Sequence, residues 1–326
     1  MTVLVTGGAG YIGSHTVRAL RSIGREVVVL DTLELGFEPA VLGAPLVVGN
    51  AGDGALVRSL VDEHQIDSVV HFAGYKNAGE SMQVPAKYFE NNVVATARLL
   101  EALVGSSVRS FVFSGSCSVY GTPAVLPVNE QSTLQPESPY GQSKLIGEQL
   151  LRWHGEVHGL QWMSLRYFNA SGASTDTKIG EDMSHTFNLV PLVMKAALGL
   201  RPAVQVFGTD FPTPDGTAVR DYIHVEDLAD GHVRALQYLE SGGASGALNL
   251  GTGTGSSVQQ VIDLVAEVSG RDVPTEYVGR RAGDPSAVWA DNRHATSALE
   301  WVPRQGLRDI IESAWRWHES RPNGYA

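Results

Sequence analysis

Near its start the chain reads Val3-Leu4-Val5-Thr6 and runs directly into Gly7-Gly8-Ala9-Gly10-Tyr11-Ile12-Gly13, with a helical pattern from Tyr11 to Ser22. Few sequence features restrict a fold more. A short apolar strand ends in closely spaced glycines, and those glycines open a helix. Glycine permits the tight turn, lets backbone approach a ligand, and lets the helix pack close on the strand. The helix start then offers unpaired N–H groups and a partial positive charge, which suit a pyrophosphate. The spacing is GxxGxxG and differs from the more general GxGxxG.

Strand and helix patterns keep alternating through the first half. Val27 to Leu30, Leu46 to Val48, Ser68 to Val70, Phe111 to Phe113 and Met163 to Leu165 are short apolar runs without strict alternation, as in strands covered on both faces. Helical stretches lie between them, including 85–103 and 139–158. This order predicts an α/β, Rossmann-type doubly wound parallel sheet. With 326 residues the chain is long for one core. Beyond about residue 170 it becomes polar and turn-rich, as in Phe211 to Gly216, and Ala247 to Leu250 reads as a strand rejoining the sheet. The expected division is a dinucleotide-binding domain over 1–169 and 223–250 and a smaller α/β substrate-binding lobe over 170–222 and 251–326, interleaved in sequence.

Asp31 ends the second strand about 20 residues beyond the glycine turn, where a carboxylate meets a ribose diol. No Lys or Arg occurs from Thr32 to Glu38 to receive a 2′-phosphate, so NAD is expected rather than NADP. Lys and Arg number 24 against 35 Asp and Glu, a formal charge of -11. Such a surface repels nucleic-acid phosphates and anionic lipid, so an anionic ligand needs a local basic patch. The single cysteine, Cys117, allows no internal disulfide and is expected to be a buried packing thiol. A reducing, cytoplasmic setting is therefore expected. No apolar run of about 18 residues predicts a membrane span, and the first strand does not read as a signal peptide. The histidines lack HExxH or Cys/His spacing, so no metal is expected.

Tyr140-Gly141-Gln142-Ser143-Lys144 opens a helix after Pro139, which puts Tyr140 and Lys144 on one face. A free phenol titrates near 10, and a nearby ammonium is expected to lower it toward use as a base. Ser114-Gly115-Ser116-Cys117-Ser118 follows a strand at the carboxyl edge, where open sheets place ligands. Ser116 is read as a hydrogen-bonding partner of the reacting oxygen. For Ser114 a strand cap competes with a role in the site.

With these residues in place, the chain resembles the extended short-chain dehydrogenases/reductases, and within them the UDP-glucose 4-epimerases. The resemblance runs from Thr2 to about Tyr325. It rests on Val5 to His15, His71-Phe72-Ala73-Gly74, Ser138 to Lys144, Arg166-Tyr167-Phe168-Asn169, Asp215 to Val225, and Arg280 to Asp284 followed by Trp289-Ala290-Asp291. It implies C4 epimerisation of a UDP-hexose through a transient 4-keto sugar, with NAD regenerated each cycle. Tyr140 would be base and acid, Ser116 its partner, and Lys144 would hold the nicotinamide ribose. Cofactor contacts would come from Gly7, Gly10, Tyr11, Ile12, Gly13, Asp31, Asn50, Ala51, Phe72, Ala73, Gly74, Lys76, Asn91, Ser114, Tyr140, Lys144, Tyr167 and Phe168. Substrate contacts would come from Lys76, Ser116, Ser118, Tyr140, Asn169, Asn188, Leu189, Val206, Phe207, Arg220, Tyr222, Arg281, Asp284 and Val288. Arg220 and Arg281 would neutralise the pyrophosphate from glycine-rich loops, since planar guanidinium forks suit a diphosphate. A homodimer through the 85–103 and 139–158 helices would match relatives.

Several positions depart from that pattern. Asn50 stands for a usual Asp at the adenine, and Thr32 and Leu35 for usual Asn residues, so weaker NAD retention is expected. Gly115 replaces a usual Ser. Val288 replaces a Tyr found in members confined to plain hexoses, leaving room for an acetamido group; packing under a loop is the competing reading. UDP-GlcNAc/UDP-GalNAc or a modified UDP-sugar therefore joins UDP-Glc/UDP-Gal as expected substrate. A dehydratase or decarboxylase is disfavoured because Cys117 and Ser118 occupy positions where acids are needed. A non-catalytic NAD-sensing protein is disfavoured because both Tyr140 and Lys144 remain.

Overall fold

The computed structural model describes residues 1–184, 186–281 and 283–325. Ala282, within the Arg280–Asp284 motif, thus lies outside the described residues. The first half comprises β1 (Thr2–Thr6), α1 (Tyr11–Ser22), β2 (Glu26–Asp31), β3 (Leu46–Val48), α2 (Gly54–His64) and β4 (Ile66–His71). Next come two short helices, α3 (Ala78–Ser81) and α4 (Pro85–Tyr88). A π-helical turn (Phe89–Val94) leads into α5 (Ala95–Leu103), followed by β5 (Ser110–Ser114), α6 (Pro139–His158) and β6 (Gln161–Tyr167).

The second half comprises β7 (Asn169–Ser171), α7 (Leu189–Ala197), β8 (Val204–Phe207), β9 (Val219–Arg220), β10 (Tyr222–His224), α8 (Val225–Glu240) and β11 (Gly246–Leu250). It continues with β12 (Ser256–Ser257), α9 (Val258–Ser269), β13 (Thr275–Val278), β14 (Ala287–Val288), α10 (Arg293–Leu299) and α11 (Leu307–Ser320).

Seven strands form one parallel sheet in the order β11-β6-β5-β4-β1-β2-β3. Side chains alternate across it. Val3 and Val5 of β1 point into a core shared with α1 and α8, while Leu4 points into the core beneath α2 and α5. Both faces are covered, which is why the strand sequences are continuously apolar. Each such side chain, fully buried, contributes about 1.5–3 kcal/mol.

Strand order reverses between β1 and β4. At such a switch the two following loops diverge and leave a crevice beyond the strand ends. Here the loops are Gly7–Gly10 and Phe72–Gly74. They touch: a side chain on Gly7 would lie 2.5 Å from the Ala73 nitrogen, and Gly7 has φ +71. Only glycine fits both demands.

Outside the main sheet, β7 pairs with β10, β9 with β12 and β14, and β8 with β13. A separate apolar core lies among α7, α9, α11 and β8, and includes Val193, Val206, Val265 and Ile310. No helix among the described residues is long and apolar enough to cross a membrane.

Candidate active site

A cleft of about 1440 Å³, counting its open mouth, lies beyond the strand ends at this switch. Its floor is the glycine turn. Helix α1 begins at Tyr11 with no side-chain cap on Gly10, so its first N–H groups face the cleft without an intrahelical partner. A side chain on Gly10 would meet only the Gly7 carbonyl, so ligand backbone contact is open there. Asp31 stands at the end of β2. One oxygen accepts from Ala9 N (2.9 Å) and the other from Leu33 N (2.9 Å), leaving a lone pair on each. Burial raises its pKa, and these N–H bonds oppose the rise. Among the described residues the only Lys or Arg side chains lining the cleft are Lys76 and Lys144, neither beside Asp31. This donor set fits a dinucleotide diphosphate with an unphosphorylated adenosine ribose.

The cleft is lined by every residue expected at the cofactor except Phe168. Phe168 instead packs with Val119, Tyr120, Val128 and Val288. Asn50 is present, but its carbonyl oxygen accepts from Gly52 N (2.7 Å), closing its own turn. That leaves its amide for a ligand.

Helix α6 places the tyrosine and lysine. Ser138 caps it by accepting from Gly141 N (3.1 Å), Pro139 fits the first turn, and Gly159 ends it in the left-handed region. Gly141 presses on the Ser118 carbonyl and Gly147 on the Phe113 ring, positions where any side chain would collide. The helix start is thereby held against the Ser116–Ser118 segment. Tyr140 and Lys144 are 8% and 6% exposed, buried yet on the cleft wall.

Lys144 Nζ donates to the Ser114 carbonyl (2.8 Å). Burial lowers its ammonium to about 8, and Glu148 partly opposes this. Burial pushes the Tyr140 phenol up to about 12, and the Ser116 hydroxyl only partly reverses this. Desolvation of the phenolate is the largest effect on this phenol and runs against the expected lowering by Lys144. Ser116 donates to Ser118 Oγ (3.0 Å) and accepts from Ser118 N (3.2 Å), so it also starts the turn after β5. Ser114 Oγ bonds the Tyr167 hydroxyl (2.6 Å).

The residues expected at the nucleotide-sugar lie mostly on the smaller elements. Arg220 is on β9, not in a loop as expected, and ion-pairs with Asp284. The Arg281 guanidinium stacks over Phe207 at 4.1 Å. Val288 pairs in register with Arg220 and is 8% exposed, in the cluster of Val119, Tyr120 and Phe168. Asn169 donates to the Asp221 carbonyl (2.9 Å), and Asn188 donates to Glu181 (2.8 Å). Leu189 begins α7, and Tyr222 is buried on β10. The Val206 side chain belongs to the core, which leaves its backbone for a ligand.

Cys117 is half-buried rather than buried, at the edge of the Val288 cluster. A side chain on Gly115 would lie 2.5 Å from Ser164 Oγ and 2.8 Å from the Leu165 carbonyl, so the usual Ser has no room here.

The profile of the NAD dependent epimerase/dehydratase family matches residues 3–251. The chain belongs to that family. Within it the chain stands with the UDP-glucose 4-epimerases. It is 43% identical to the UDP-glucose 4-epimerase of Halalkalibacterium halodurans over 100% of this chain and 98% of that protein. The crystal structure of UDP-glucose 4-epimerase from Brucella ovis in complex with NAD aligns with TM-score 0.95 and 41% identity, covering 97% of each chain. The UDP-Glc/GlcNAc 4-epimerase from Campylobacter jejuni aligns with TM-score 0.86 and 36% identity, covering 98% of this chain and 99% of that one.

Several residues that line the cleft were not among the expected site residues: Phe37, Tyr75, His71, Glu181, Asp182 and Tyr325. His71 is a buried strand residue bonded to Thr6 and Thr96, and burial lowers its ring to about 3, so it is neutral. Glu181 accepts from Lys76 (3.1 Å), Thr186 (3.0 Å) and Asn188 (2.8 Å). Only His71 had a local signal, the His71-Phe72-Ala73-Gly74 run.

Proposed function

We propose that this chain is an NAD-dependent UDP-hexose 4-epimerase. The observation that carries this is Tyr140 and Lys144 buried together on α6, at the wall of a cleft whose floor is the glycine turn. Bound NAD would supply reversible hydride-acceptor chemistry at the sugar C4. Gly7, Gly10, the start of α1 and Asp31 would hold it. Tyr140 takes the 4-hydroxyl proton and later gives it back, and Ser116 orients that oxygen. Lys144 contributes a positive charge at this buried point and a donor for a ribose hydroxyl. Arg220 and Arg281 take the substrate diphosphate, which requires Arg220 to exchange Asp284 for phosphate oxygens. Burial of Tyr140 and Ser116 keeps water from the transient ketone.

Substrate range is set at Val288. It stands in register with Arg220 and packs beside the turn that carries Ser116 to Tyr120. Valine there supports acceptance of UDP-GlcNAc/UDP-GalNAc besides the plain hexoses. The test is product identification by NMR from UDP-galactose and UDP-GalNAc. Both sugars are expected to turn over. Val288→Tyr is expected to lower the acetylated-to-plain ratio of kcat/KM by about tenfold or more, the effect of a lost pocket volume. An unchanged ratio overturns this assignment.

The exposed Trp153 and Val157 on the outward face of α6 support pairing of two copies through the 85–103 and 139–158 segments. Sedimentation is expected to give twice the chain mass at micromolar concentration; a monomer there rejects the pairing.

A further inference from the structure

Residues Arg321–Tyr325 follow α11 and reach back to the cleft. The Tyr325 ring stacks on Phe37, with centroids 5.0 Å apart and planes 21° apart. Its hydroxyl accepts from Gly180 N (3.1 Å) and donates to the Gly180 carbonyl (3.0 Å), while Tyr325 N donates to Asp182 (3.3 Å). Trp317, buried in α11, donates to the Glu181 carbonyl (3.0 Å). Phe37 is tied in turn to the glycine turn by its N–H on the Ala9 carbonyl (3.0 Å).

Two glycines make this contact possible. A side chain on Gly324, which has φ +68, would collide with the Asp182 carboxylate. One on Gly180 would collide with the Trp317 ring. Tyr325 and Phe37 are both half-buried and both face the cleft, so their stack walls the opening rather than filling a core.

We propose that Arg321–Tyr325 is a strap that retains the bound dinucleotide, with Tyr325 as a positioning residue for Phe37 and the Gly180–Ser184 loop. This rests on reading the cleft as the NAD site. The strap joins the loop after Asp31 to the Gly180–Ser184 loop, both of which line the cleft, so a dinucleotide leaves only after those segments part. The polar adenosine contacts are sparse here, since Thr32 and Leu35 are exposed and the Asn50 carbonyl is occupied by Gly52 N. Retention then depends on the wall itself.

The experiment is NAD titration by calorimetry, NAD release by stopped flow, and thermal unfolding of the ligand-free protein, for wild type, Tyr325→Ala, Tyr325→Phe and Gly324→Ala. Tyr325→Ala loses a stack and three hydrogen bonds or their geometry, and is expected to weaken NAD about tenfold or more with faster release. Tyr325→Phe keeps the stack and should fall between. Gly324→Ala keeps the tyrosine but displaces it, and should match Tyr325→Ala. UDP affinity and the ligand-free unfolding temperature should stay near wild type. NAD affinity within about twofold of wild type in both Tyr325→Ala and Gly324→Ala overturns the strap. So does a loss of NAD matched by an equal loss of ligand-free stability. If Tyr325→Ala does not fold, Tyr325→Phe and Gly324→Ala decide by the same criteria. A wild-type protein that binds no NAD overturns the cofactor reading instead, a separate result.

Discussion

Tyr140→Phe is expected to bind NAD as wild type does and to lose about 10²–10⁴-fold in turnover, the range for removing a positioned acid–base group. The ring and its packing survive the change, so only the proton-carrying oxygen is lost. The proposed NAD contacts of the glycine turn, Asp31 and Lys144 do not depend on that oxygen, since Asp31 is held by Ala9 N and Leu33 N and Lys144 by the Ser114 carbonyl. Another phenol lining the cleft is Tyr167. Its hydroxyl is bound to Ser114 Oγ at 2.6 Å, so it is committed to the wall. Tyr167→Phe should therefore cost far less. The measurement is turnover under saturating substrate together with an NAD titration on each variant. Near-normal turnover in Tyr140→Phe, or a larger loss in Tyr167→Phe, contradicts the assignment of the base.

What could be read from the sequence was local. The glycine turn, the buried strands and the Tyr140–Lys144 pair each lie within one strand, turn or helix, so spacing alone carries their meaning. The ends of α6 were legible because Ser138, Pro139 and Gly159 are caps whose chemistry does not depend on tertiary context. The pKa of Tyr140 was not legible in that way. Its direction depends on burial by segments far apart in sequence, and the neighbouring ammonium is directed at the Ser114 carbonyl. Asp221 shows the same limit. It sits in the Arg220-Asp221-Tyr222 run beside proposed ligand residues, yet it is fully buried and accepts from Thr252, Gly253 and Ala290. Two distant chain segments converge on that carboxylate, and no spacing rule announces it. Tyr325 is further still, 145 residues from the Gly180 backbone it binds. Val206 and Phe168 show a side chain committed to apolar packing at positions expected near a ligand, and that packing draws on residues far away in sequence.

Removing the Glu148 carboxylate should destabilise the fold by about 3–5 kcal/mol, the cost of leaving a buried charge without its partner. Arg166 Nη2 and Nε donate to Glu148 at 2.6 and 2.9 Å, with both side chains almost fully buried. Ser164 Oγ donates to the same carboxylate (2.8 Å), and Arg166 Nη1 donates to Tyr120, which donates to Asn249 (2.7 Å). The network therefore ties α6 to β6, β11 and the turn after β5, the elements that carry Lys144 and Ser116. In Glu148→Leu the guanidinium keeps only the Tyr120 oxygen. Glu148→Leu combined with Arg166→Met removes both charges and should recover much of the loss, since apolar replacements for a buried pair are often neutral. Denaturant midpoints at a constant m-value measure both effects. The single change also strips Lys144 of the carboxylate that opposes its desolvation, so its ammonium falls further below about 8. Activity near pH 8 should then drop in the double variant as well, despite its recovered stability. A double variant with wild-type activity at that pH would mean that Glu148 only holds the fold and does not sustain the charge on Lys144.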